Sequence, residues 1–503
     1  MSNSNQKSYT KLNITIKPLN FSDNFTKNLN DKNSDASVGK FNDNLTALTL
    51  FSPLAQMPWA IWLDSCQSDH VDSRYDIIVW QPSATLTTYG DTTQIQWFDQ
   101  QNKNDNVENS DEDPLILVKK IQQEVFSTLS LPSPCDLPFI GGALGYFSYD
   151  LGRRFENLPD TAQQDITLAD MAVGIYTHAI VVDNKTQQSF LICPEPQRKT
   201  LTHELAQKLL TTQKNNDHSE KESTGFQLNS PWQSNMSRAE YGDKFQRVQS
   251  YLRSGDCYQI NLTQRFSAQY QGDEFTAYQA LRASNQAPFS AFMCFEKSAV
   301  LSISPERFLQ VKNNKVQSKP IKGTLTRSED PVKDQANAQT LKHSIKDQAE
   351  NVMIVDLLRN DISKVCQAGS VVVPTLFEIE SFPAVHHLVS TVEGTLAENF
   401  AGSDLLRAAF PGGSITGAPK IRAMEIIEEL EPHHRSVYCG SIGYLSACGN
   451  MDTNITIRTL ICENNKIYCS AGGGLVADSK VDDEYQETFD KVQCILPILN
   501  ELT

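Results

Sequence analysis

The sequence lacks the features that mark membrane-spanning and nucleic-acid-binding proteins. It contains no uninterrupted apolar run approaching the ~18 residues that a membrane helix requires. Positive charge is scarce, because 44 Lys and Arg stand against 60 Asp and Glu, giving 44 − 60 = −16. A surplus of acid opposes attraction to nucleic-acid phosphates and to anionic lipid surfaces. We therefore expect a soluble protein with neither a membrane nor a nucleic acid as a partner.

Cysteine pairs with the spacing of zinc or redox sites are also missing. The 11 cysteines are odd in number, scattered, and include no Cys-x-x-Cys pair. The N-terminus shows no charged region followed by an apolar run and a small-residue cleavage site, as a secretory signal would. These absences predict reduced thiols and a cytoplasmic protein.

The length of 503 residues suffices for two to four domains or for one composite fold. Residues 1–45 are rich in Asn, Ser, Lys and Asp with few apolar side chains, which predicts a disordered polar tail. Another polar stretch, residues 211–222, is typical of a linker. We therefore divide the chain into this tail, an N-terminal subdomain at 46–225 and a catalytic domain at 226–503.

Beyond residue 226 the apolar pattern predicts helices interleaved with short strands, an α/β class with large mixed sheets. Ser237 and Glu240 have the spacing of a capping box at the start of a helix that Gly255 can end. Longer helical patterns cover residues 339–360 and 483–499. The segments 142–148 and 440–446 share the pattern Gly-x-aliphatic-Gly-Tyr-apolar-Ser, which indicates either two related strands or coincidence.

Two glycine-rich segments are candidates for anion binding. The run from Gly412 to Lys420 leads into a helix and can point free N–H groups at an anion, although it lacks the Lys-Ser/Thr pair of a nucleotide-binding loop. The alternative is an ordinary turn. The second run, residues 472–474, follows a strand downstream of Arg458, whose planar fork grips carboxylates. Taken alone, Arg458 also suits a surface ion pair.

Acidic side chains predict a magnesium site. Glu484 and Glu487 share one face of the last helix, and Glu350 lies on another amphipathic helix. Carboxylates from two helices could meet and hold Mg²⁺, which prefers oxygen ligands. The alternative is a solvated acidic face.

Lys322 is oddly placed for a solubilising lysine, because it lies between Ile321 and Gly323 shortly after a proline. A lysine with an ordinary pKa is almost fully protonated at neutral pH, so that a nucleophilic role requires burial or a neighbouring positive charge. Glu306 is a candidate proton donor, and the alternative for it is an ordinary pair with Arg307.

The order of these segments resembles that of the chorismate-utilising enzymes. The resemblance covers the chain from about residue 46 and rests on seven segments: 304–308, 320–324, 349–361, 382–390, 410–420, 457–459 and 484–488. It implies a single large composite fold with two facing β-sheets flanked by helices, which binds chorismate and Mg²⁺ in its C-terminal half.

Lys322 separates two branches of that family. Relatives that form anthranilate carry Pro-Ile-Ala-Gly-Thr at residues 320–324 and deliver ammonia directly to the ring. The resemblance to the lysine-bearing branch implies covalent attack by Lys322 and formation of 4-amino-4-deoxychorismate, a precursor of para-aminobenzoate and folate. The alternatives are an anthranilate or isochorismate synthase on the same scaffold, or a non-catalytic partner that binds chorismate.

The resemblance also implies a role for each candidate residue. Glu306 assists the departing hydroxyl, and Glu350 and Glu487, with Glu484 through water, hold Mg²⁺. The remaining site residues bind the substrate: Arg458, Gly473 and Gly474 on the enolpyruvyl carboxylate, Tyr438 beside them, and His387 and Ser414 along the ring. Ser414 replaces the threonine that is common in the anthranilate-forming relatives.

Ammonia is expected from a separate glutamine amidotransferase subunit. The chain shows no cysteine in a nucleophile context such as Gly-x-Cys-x-Gly that would supply this activity itself. The N-terminal half resembles the part that holds a tryptophan in relatives, and Ser65, Pro288 and Phe289 stand at the expected pocket.

Overall fold

A computed structural model of the protein describes residues 11–19, 21, 45–66, 70–98, 106–134, 136–218, 225–381 and 385–502. In chain order the strands are β1 (Leu12–Pro18), β2 (Ile61–Asp64), β3 (Tyr75–Val79), β4 (Ala84–Tyr89), β5 (Thr92–Trp97), β6 (Asn106–Ser110), β7 (Leu129–Ser130), β8 (Gly142–Phe147), β9 (Met171–Tyr176), β10 (Ala179–Asp183), β11 (Gln188–Pro194), β12 (Gln227–Leu228), β13 (Gln233–Ser234), β14 (Gln259–Gln271), β15 (Phe289–Cys294), β16 (Ser298–Ser304), β17 (Arg307–Lys312), β18 (Lys315–Ser318), β19 (Ile321–Thr326), β20 (Val372–Ser381), β21 (Val385–Thr395), β22 (Gly417–Ala418), β23 (Ser441–Ser446), β24 (Met451–Asn454), β25 (Thr459–Glu463) and β26 (Lys466–Leu475).

The α-helices are α1 (Ala47–Phe51), α2 (Pro114–Phe126), α3 (Arg198–His218), α4 (Arg238–Ser254), α5 (Glu274–Asn285), α6 (Pro331–Lys342), α7 (Ile345–Ser363), α8 (Gly402–Ala409), α9 (Lys420–Leu430), α10 (Val481–Asp490) and α11 (Leu496–Asn500). Short 3₁₀ turns cover Ser52–Leu54, Tyr149–Arg154, Glu195–Gln197 and Gly413–Ile415. In the described part of the chain, no helix is both long and apolar enough to cross a membrane.

The strands form two large sheets. The first follows the order β12-β14-β26-β25-β16-β15-β2-β3-β10-β11-β1-β7, and β13 and β22 also pair with β14. The second follows the order β19-β21-β18-β17-β24-β23-β8-β9-β4-β5-β6, and β20 also pairs with β21. The described strand pairs are antiparallel except β1 with β7.

The hydrophobic core has a middle layer and two outer layers because successive side chains of a strand point to opposite faces. Ile61 and Val79 lie in the layer between the sheets, together with Tyr146 from the second sheet. Trp62 and Trp80 instead pack outward under α1, α3 and α5. The outer face of the second sheet is covered by α2, α7, α8 and α9. The predicted class and the single composite fold with two facing sheets are confirmed.

The two halves of the chain meet inside both sheets. In the first sheet β15 pairs with β2, and in the second sheet β23 pairs with β8. β8 and β23 are the two segments with the shared glycine pattern, and Gly145 lies opposite Gly443 in their antiparallel register. The repeated pattern therefore marks two adjacent strands at the junction of the two halves.

The prediction of a disordered tail over residues 1–45 is wrong for β1. This strand pairs antiparallel with β11 and parallel with β7, and Ile14 is 4% exposed in the layer between the sheets. Backbone hydrogen bonds to two strands and one buried side chain offset the polar composition. The rest of the predicted tail, apart from residues 11, 19, 21 and 45, lies outside the described residues.

Seven of the ten described cysteines are buried. Burial raises the pKa of Cys469 to about 12 and that of Cys366 to about 11, which keeps these thiols protonated. The expected reduced state therefore agrees with their environment.

Candidate active site

The candidate site lies where the chain passes from one sheet to the other. Glu306 connects β16 of the first sheet to β17 of the second, and Arg458 stands between β24 of the second sheet and β25 of the first. Both residues therefore lie in connections that cross from one sheet to the other, in the C-terminal half of the chain. Arg458 adopts the left-handed conformation with φ 51°, which a non-glycine residue seldom does.

Lys322 lies on β19, beside an irregularity in its pairing with β21. Its Nζ donates a hydrogen bond of 3.2 Å to the backbone oxygen of Ser414. Burial lowers the pKa of Lys322, and the carboxylates of Glu350 and Glu306 oppose that change. Its environment therefore favours a neutral amine more than water does, as a nucleophilic lysine requires.

Glu306 shares Ser414 with Lys322. It is 7% exposed, and the Ser414 hydroxyl donates a 3.0 Å hydrogen bond to its Oε1. Burial raises the pKa of Glu306, while the Lys322 ammonium and the Ser414 hydroxyl restrain the rise. A carboxyl that keeps its proton more readily is suited to protonate a leaving group.

The alternative for Glu306, an ordinary pair with Arg307, does not occur. The Arg307 guanidinium contacts Asp452 through two bonds of 2.9 and 3.0 Å and Asp72 through one of 2.8 Å. Arg307 lines a cavity of about 700 Å³ that Glu306 does not line.

Glu484 and Glu487 converge above Gly473. Glu484 is 4% exposed, accepts a 2.6 Å hydrogen bond from Ser479 at Oε1, and has no hydrogen-bond partner at Oε2 within the described structure. The position that a Cβ of residue 473 would occupy lies 3.1 Å from Glu487 Oε1 and 3.3 Å from Glu484 Oε2. Two carboxylate oxygens thus border one small space that glycine leaves open.

Sequence reasoning missed Lys491, which lies at the same place. Its Nζ contacts Glu487 Oε1 at 2.7 Å and the backbone oxygen of Gly472 at 2.6 Å. Burial acts to raise the pKa of Glu487, but the Lys491 ammonium outweighs it and the pKa is lowered. The spacing of four residues between Glu487 and Lys491 on a helical segment was the available signal.

The predicted magnesium ligands fit a divalent cation in chemistry and in part in position. Glu484 and Glu487 border the same space. Burial raises the pKa of Glu350, and the nearby charge of Glu487 raises it further. Oxygen donors and an unsatisfied buried carboxylate oxygen are what Mg²⁺ uses. In the described part of the chain, the three residues whose potential metal-ligand atoms all lie within 4.8 Å of one another are Asp160, Glu428 and His434, and not the predicted glutamates.

Arg458 has the properties of an anion receptor. Burial lowers its pKa, and no carboxylate in the described ranges forms an ion pair with it. The alternative of a surface ion pair is therefore wrong. Burial and the Arg458 charge lower the pKa of nearby His387 to about 4, so that His387 is neutral at pH 7. His387 Nδ1 shares a 2.8 Å hydrogen bond with Thr324 Oγ1.

Gln259 is a second residue that sequence reasoning missed. It is 1% exposed, and neither polar atom of its side chain has a partner in the part of the chain that the structure describes. Its Nε2 lies 2.1 Å from the place of a Cβ on Gly474, so that only glycine fits there. A buried amide with unused hydrogen-bonding capacity beside Gly474 is poised to bind a polar ligand. No distinctive signal marked Gln259, because β14 carries polar residues along its whole length, such as Asn261 and Gln264.

Tyr438 is buried, which raises its pKa, and its nearest charged neighbours are Arg435 and Glu431. The amide of the following residue, Cys439, donates to the backbone oxygen of Thr456 at 2.9 Å. Tyr438 thus lies near the Arg458 segment through the backbone, and its predicted contact with substrate stays a prediction.

Ser65, Pro288 and Phe289 line one cavity of about 700 Å³, separate from Lys322 and its neighbours. Ser65 donates from its amide and its hydroxyl to Asp76, at 2.7 and 3.0 Å. Burial and nearby Asp64 raise the pKa of Asp76 to about 7. The structure therefore brings together the three residues predicted for a tryptophan pocket, while the ligand itself stays a prediction.

The arrangement around Ser414 can perform a nucleophilic substitution on an anion. It offers a buried lysine, a buried carboxylic acid that shares Ser414 with it, an unpaired guanidinium and a pair of carboxylates suited to a cation. An anionic substrate with a hydroxyl leaving group meets all of these properties at once.

Comparison with known proteins agrees with this chemistry. The model of the chorismate binding enzyme family matches residues 60–497. Aminodeoxychorismate synthase component 1 of Escherichia coli K12 is 53% identical over 451 residues, 90% of this chain and 95% of that protein. The protein of the same name from Klebsiella aerogenes is 54% identical over 446 residues, 89% of this chain and 95% of its own length.

A solved structure supports the fold independently. Anthranilate synthase component I from Streptococcus pneumoniae superimposes with a TM-score of 0.72 at 32% identity, covering 85% of this chain and 93% of that one. The two sheets and the crossings that carry Glu306 and Arg458 therefore belong to a shared scaffold.

Proposed function

Because the chain belongs to the chorismate-binding enzyme family, we propose that it converts chorismate and ammonia into 4-amino-4-deoxychorismate, a precursor of para-aminobenzoate and folate. The observation that carries the proposal is that Ser414 forms hydrogen bonds with both Lys322 and Glu306, which brings a nucleophile and an acid together in one site. The relatives at 53% and 54% identity, named for this activity, support it.

Substrate binding centres on Arg458, which forms no ion pair with a carboxylate of the described residues. Arg458 and the amides near Gly473 and Gly474 hold the enolpyruvyl carboxylate, and neutral His387 lies along the ring with Ser414. A guanidinium without a carboxylate partner contributes its full charge to the ligand, whereas a paired one would first lose its own ion pair.

The reaction proceeds in two substitutions. The neutral amine of Lys322 forms a bond to C2 of the ring, the two ring double bonds shift toward C4, and the C4 hydroxyl leaves as water with a proton from Glu306. Ammonia then forms a bond to C4, the double bonds shift back, and the bond between Lys322 and C2 breaks. Glu306 regains its proton from the ammonia nitrogen, so that chorismate and ammonia give the product and one water.

Magnesium is expected to bind between the carboxylates of Glu350, Glu484 and Glu487. When bound, it supplies positive charge for the ring carboxylate of the substrate. Lys491 contacts Glu487 at 2.7 Å and offsets part of the negative charge of the three carboxylates.

We also propose two partners for the chain. A glutamine amidotransferase subunit supplies ammonia, in keeping with the name component 1 that its relatives carry. Tryptophan occupies the cavity of about 700 Å³ at Ser65, Pro288 and Phe289, where apolar rings and buried acids lie side by side. Calorimetric titration with L-tryptophan tests the second assignment, and absence of heat at millimolar ligand rejects it.

Intact-mass spectrometry tests the covalent step. Incubation of the chain with chorismate and Mg²⁺ in the absence of ammonia is expected to add the mass of chorismate minus water, and ammonium is expected to discharge this adduct as 4-amino-4-deoxychorismate. Lys322→Ala is expected to form no adduct and to lose at least about 1000-fold in kcat, since the nucleophile is gone.

Lys319→Ala is the matched control, because Lys319 is three residues away and its ammonium pairs with Glu380 at 2.9 Å rather than with Ser414. It is expected to keep both adduct and product. Formation of anthranilate, or product release by Lys322→Ala at the wild-type rate, would contradict the proposal.

A further inference from the structure

A single buried guanidinium connects the parts of the chain that surround the site. The Arg435 side chain is 2% exposed and contacts both oxygens of Glu431, at 2.8 and 2.6 Å. Two of its other N–H groups donate to the backbone oxygens of Ile415 and Asn261, each at 2.9 Å. Its plane also stacks on Tyr149 at 4.8 Å.

The contacts of Arg435 with the two backbone oxygens end beside residues of the site. Ile415 follows Ser414 directly, in the 3₁₀ turn that presents Ser414 to Lys322 and Glu306. Asn261 pairs with Gly474 across β14 and β26. Glu431 accepts a 2.9 Å hydrogen bond from the amide of Thr263, further along the same strand.

We infer that Arg435 is a positioning residue for the reaction, which fixes the Ser414 turn against β14 so that Ser414 contacts Lys322 and Glu306 together. The inference rests on the proposed function. Its physical basis is the rigid fork of arginine, which places several donors in fixed directions at once, whereas lysine offers a single flexible point charge.

The contact between Arg435 and Ile415 is the one that adjoins Ser414 in the chain. The Gly413 to Ile415 turn has no side-chain cap at its start, and Thr416 closes its end by donating from its hydroxyl to the backbone oxygen of Gly412 at 3.0 Å. The Asn261 amide also donates to the backbone oxygen of Thr416 at 2.8 Å. Leu357 packs on one side of the turn, at Gly413, and Arg435 bonds to its other end. Loss of the Arg435 bond removes the side-chain donor to Ile415, next to Ser414, and leaves the bonds of Thr416 to hold that end of the turn. A displacement of a reacting group by about 1 Å can cost ~100-fold in rate.

The test compares Arg435→Lys with the wild-type chain in the chorismate and ammonium assay over a series of pH values. Lysine keeps the charge beside Glu431 but cannot reach Ile415 and Asn261 as well. We expect kcat to fall by about 10- to 100-fold while KM changes by less than about threefold.

A pH readout separates positioning from general damage. The charged and polar groups that act on Glu306 are Lys322, Lys491, the Ser414 hydroxyl and the backbone amide of Ile321. If Ser414 moves away, Glu306 loses a bond that favours its ionised form, and the alkaline limb of the kcat profile shifts upward. In a Ser414→Ala background, Arg435→Lys is expected to shift this limb no further.

Arg265→Lys is the matched control. Arg265 is also buried, forms two bonds to the carboxylate of Asp165 at 2.9 and 2.6 Å, and stacks on Tyr468 at 5.0 Å. Among the residues that the structure describes, it forms no hydrogen bond or ion pair with the Ser414 turn, and its substitution is expected to leave the alkaline limb in place.

Two outcomes overturn the inference: an unchanged kcat in Arg435→Lys, or a fall in kcat with an unmoved alkaline limb. If Arg435→Lys does not fold, Glu431→Gln replaces it, because it keeps an acceptor oxygen and weakens the hold on Arg435. An unmoved limb in that variant overturns the inference equally. If the wild-type chain forms no product, the proposed function fails instead, and the two failures are therefore distinct.

Discussion

At the scale of single residues, burial shifts the pKa values of Lys322 and Glu306 in opposite directions. Low exposure lowers the pKa of Lys322 and raises the pKa of Glu306, because it disfavours the charged form of each. The mutual attraction of the two groups works against both shifts. Ser414 adds an asymmetry, since its hydroxyl favours the ionised form of Glu306.

Ser414→Ala tests this asymmetry through the pH dependence. Removal of the hydroxyl raises the pKa of Glu306, because a bond to the carboxylate form is lost. The proposed acid then stays protonated to higher pH, so that the alkaline limb of kcat moves upward. We expect kcat at its optimum to fall by about tenfold. Steady-state rates between pH 6 and 10 measure both effects.

Ser414→Thr is the control for that substitution, because it keeps the hydroxyl that the anthranilate-forming relatives also carry. It is expected to leave the alkaline limb near the wild-type position. A downward shift in Ser414→Ala would show that the hydroxyl does not favour the ionised acid.

The residues that the sequence indicates are those whose type is unusual for their neighbours. Lys322 between Ile321 and Gly323 is an example, and the structure places it in the site. Lys491 and Gln259 were missed because each resembles an ordinary residue of its element. Their importance comes from contacts with Gly472 and Gly474, which are distant in sequence and meet them only in the folded chain.

At the scale of secondary structure, local hydrogen bonds decided which predictions were right. The predicted capping box at Ser237 and Glu240 is present, and Gly255 ends α4 in the left-handed conformation. The pattern over 339–360, predicted as one helix, is broken near Ser344. The Ser344 hydroxyl accepts from the amide of Asp347 at 3.3 Å and caps a new helix, α7. Apolar periodicity continues across such a break and cannot show it.

The packing of α10 against β26 predicts the metal dependence. Gly473→Ala places a methyl group 3.1 Å from Glu487 Oε1 and 3.3 Å from Glu484 Oε2, within the space where the two carboxylates converge. We expect the Mg²⁺ concentration for half-maximal activity to rise by about 10- to 100-fold, with kcat largely restored at saturating Mg²⁺. Activity titrations with Mg²⁺ measure this directly.

Gly225→Ala is the control for that substitution, because a Cβ at residue 225 meets no atom within 4 Å. Its Mg²⁺ dependence is expected to equal that of the wild type. An unaltered Mg²⁺ requirement in Gly473→Ala would place the cation elsewhere in the protein.

At the scale of the whole molecule, the fold has no plane that separates the predicted units at 46–225 and 226–503. Strand pairs join them inside both sheets, β2 with β15 and β8 with β23. Composition predicted a boundary because polar residues separate the two segments, but it carries no information on which strands pair. The shared glycine pattern did indicate a pair of strands, since its two copies, β8 and β23, pair with each other at the junction.

The shared sheets predict that the two segments fold together. Residues 226–503 alone would expose the paired edges of β15 and β23 and the apolar faces beside them, which favours aggregation. We expect this segment to be insoluble or to lack protected amides when produced alone, whereas the full chain unfolds in one calorimetric transition.

The control is a full chain carrying a protease site between residues 218 and 225. Cleavage after folding breaks the same peptide link but is expected to leave both sheets paired and the two pieces associated through size-exclusion chromatography. A segment 226–503 that folds alone with wild-type affinity for chorismate would show that the junction strands contribute little to the site.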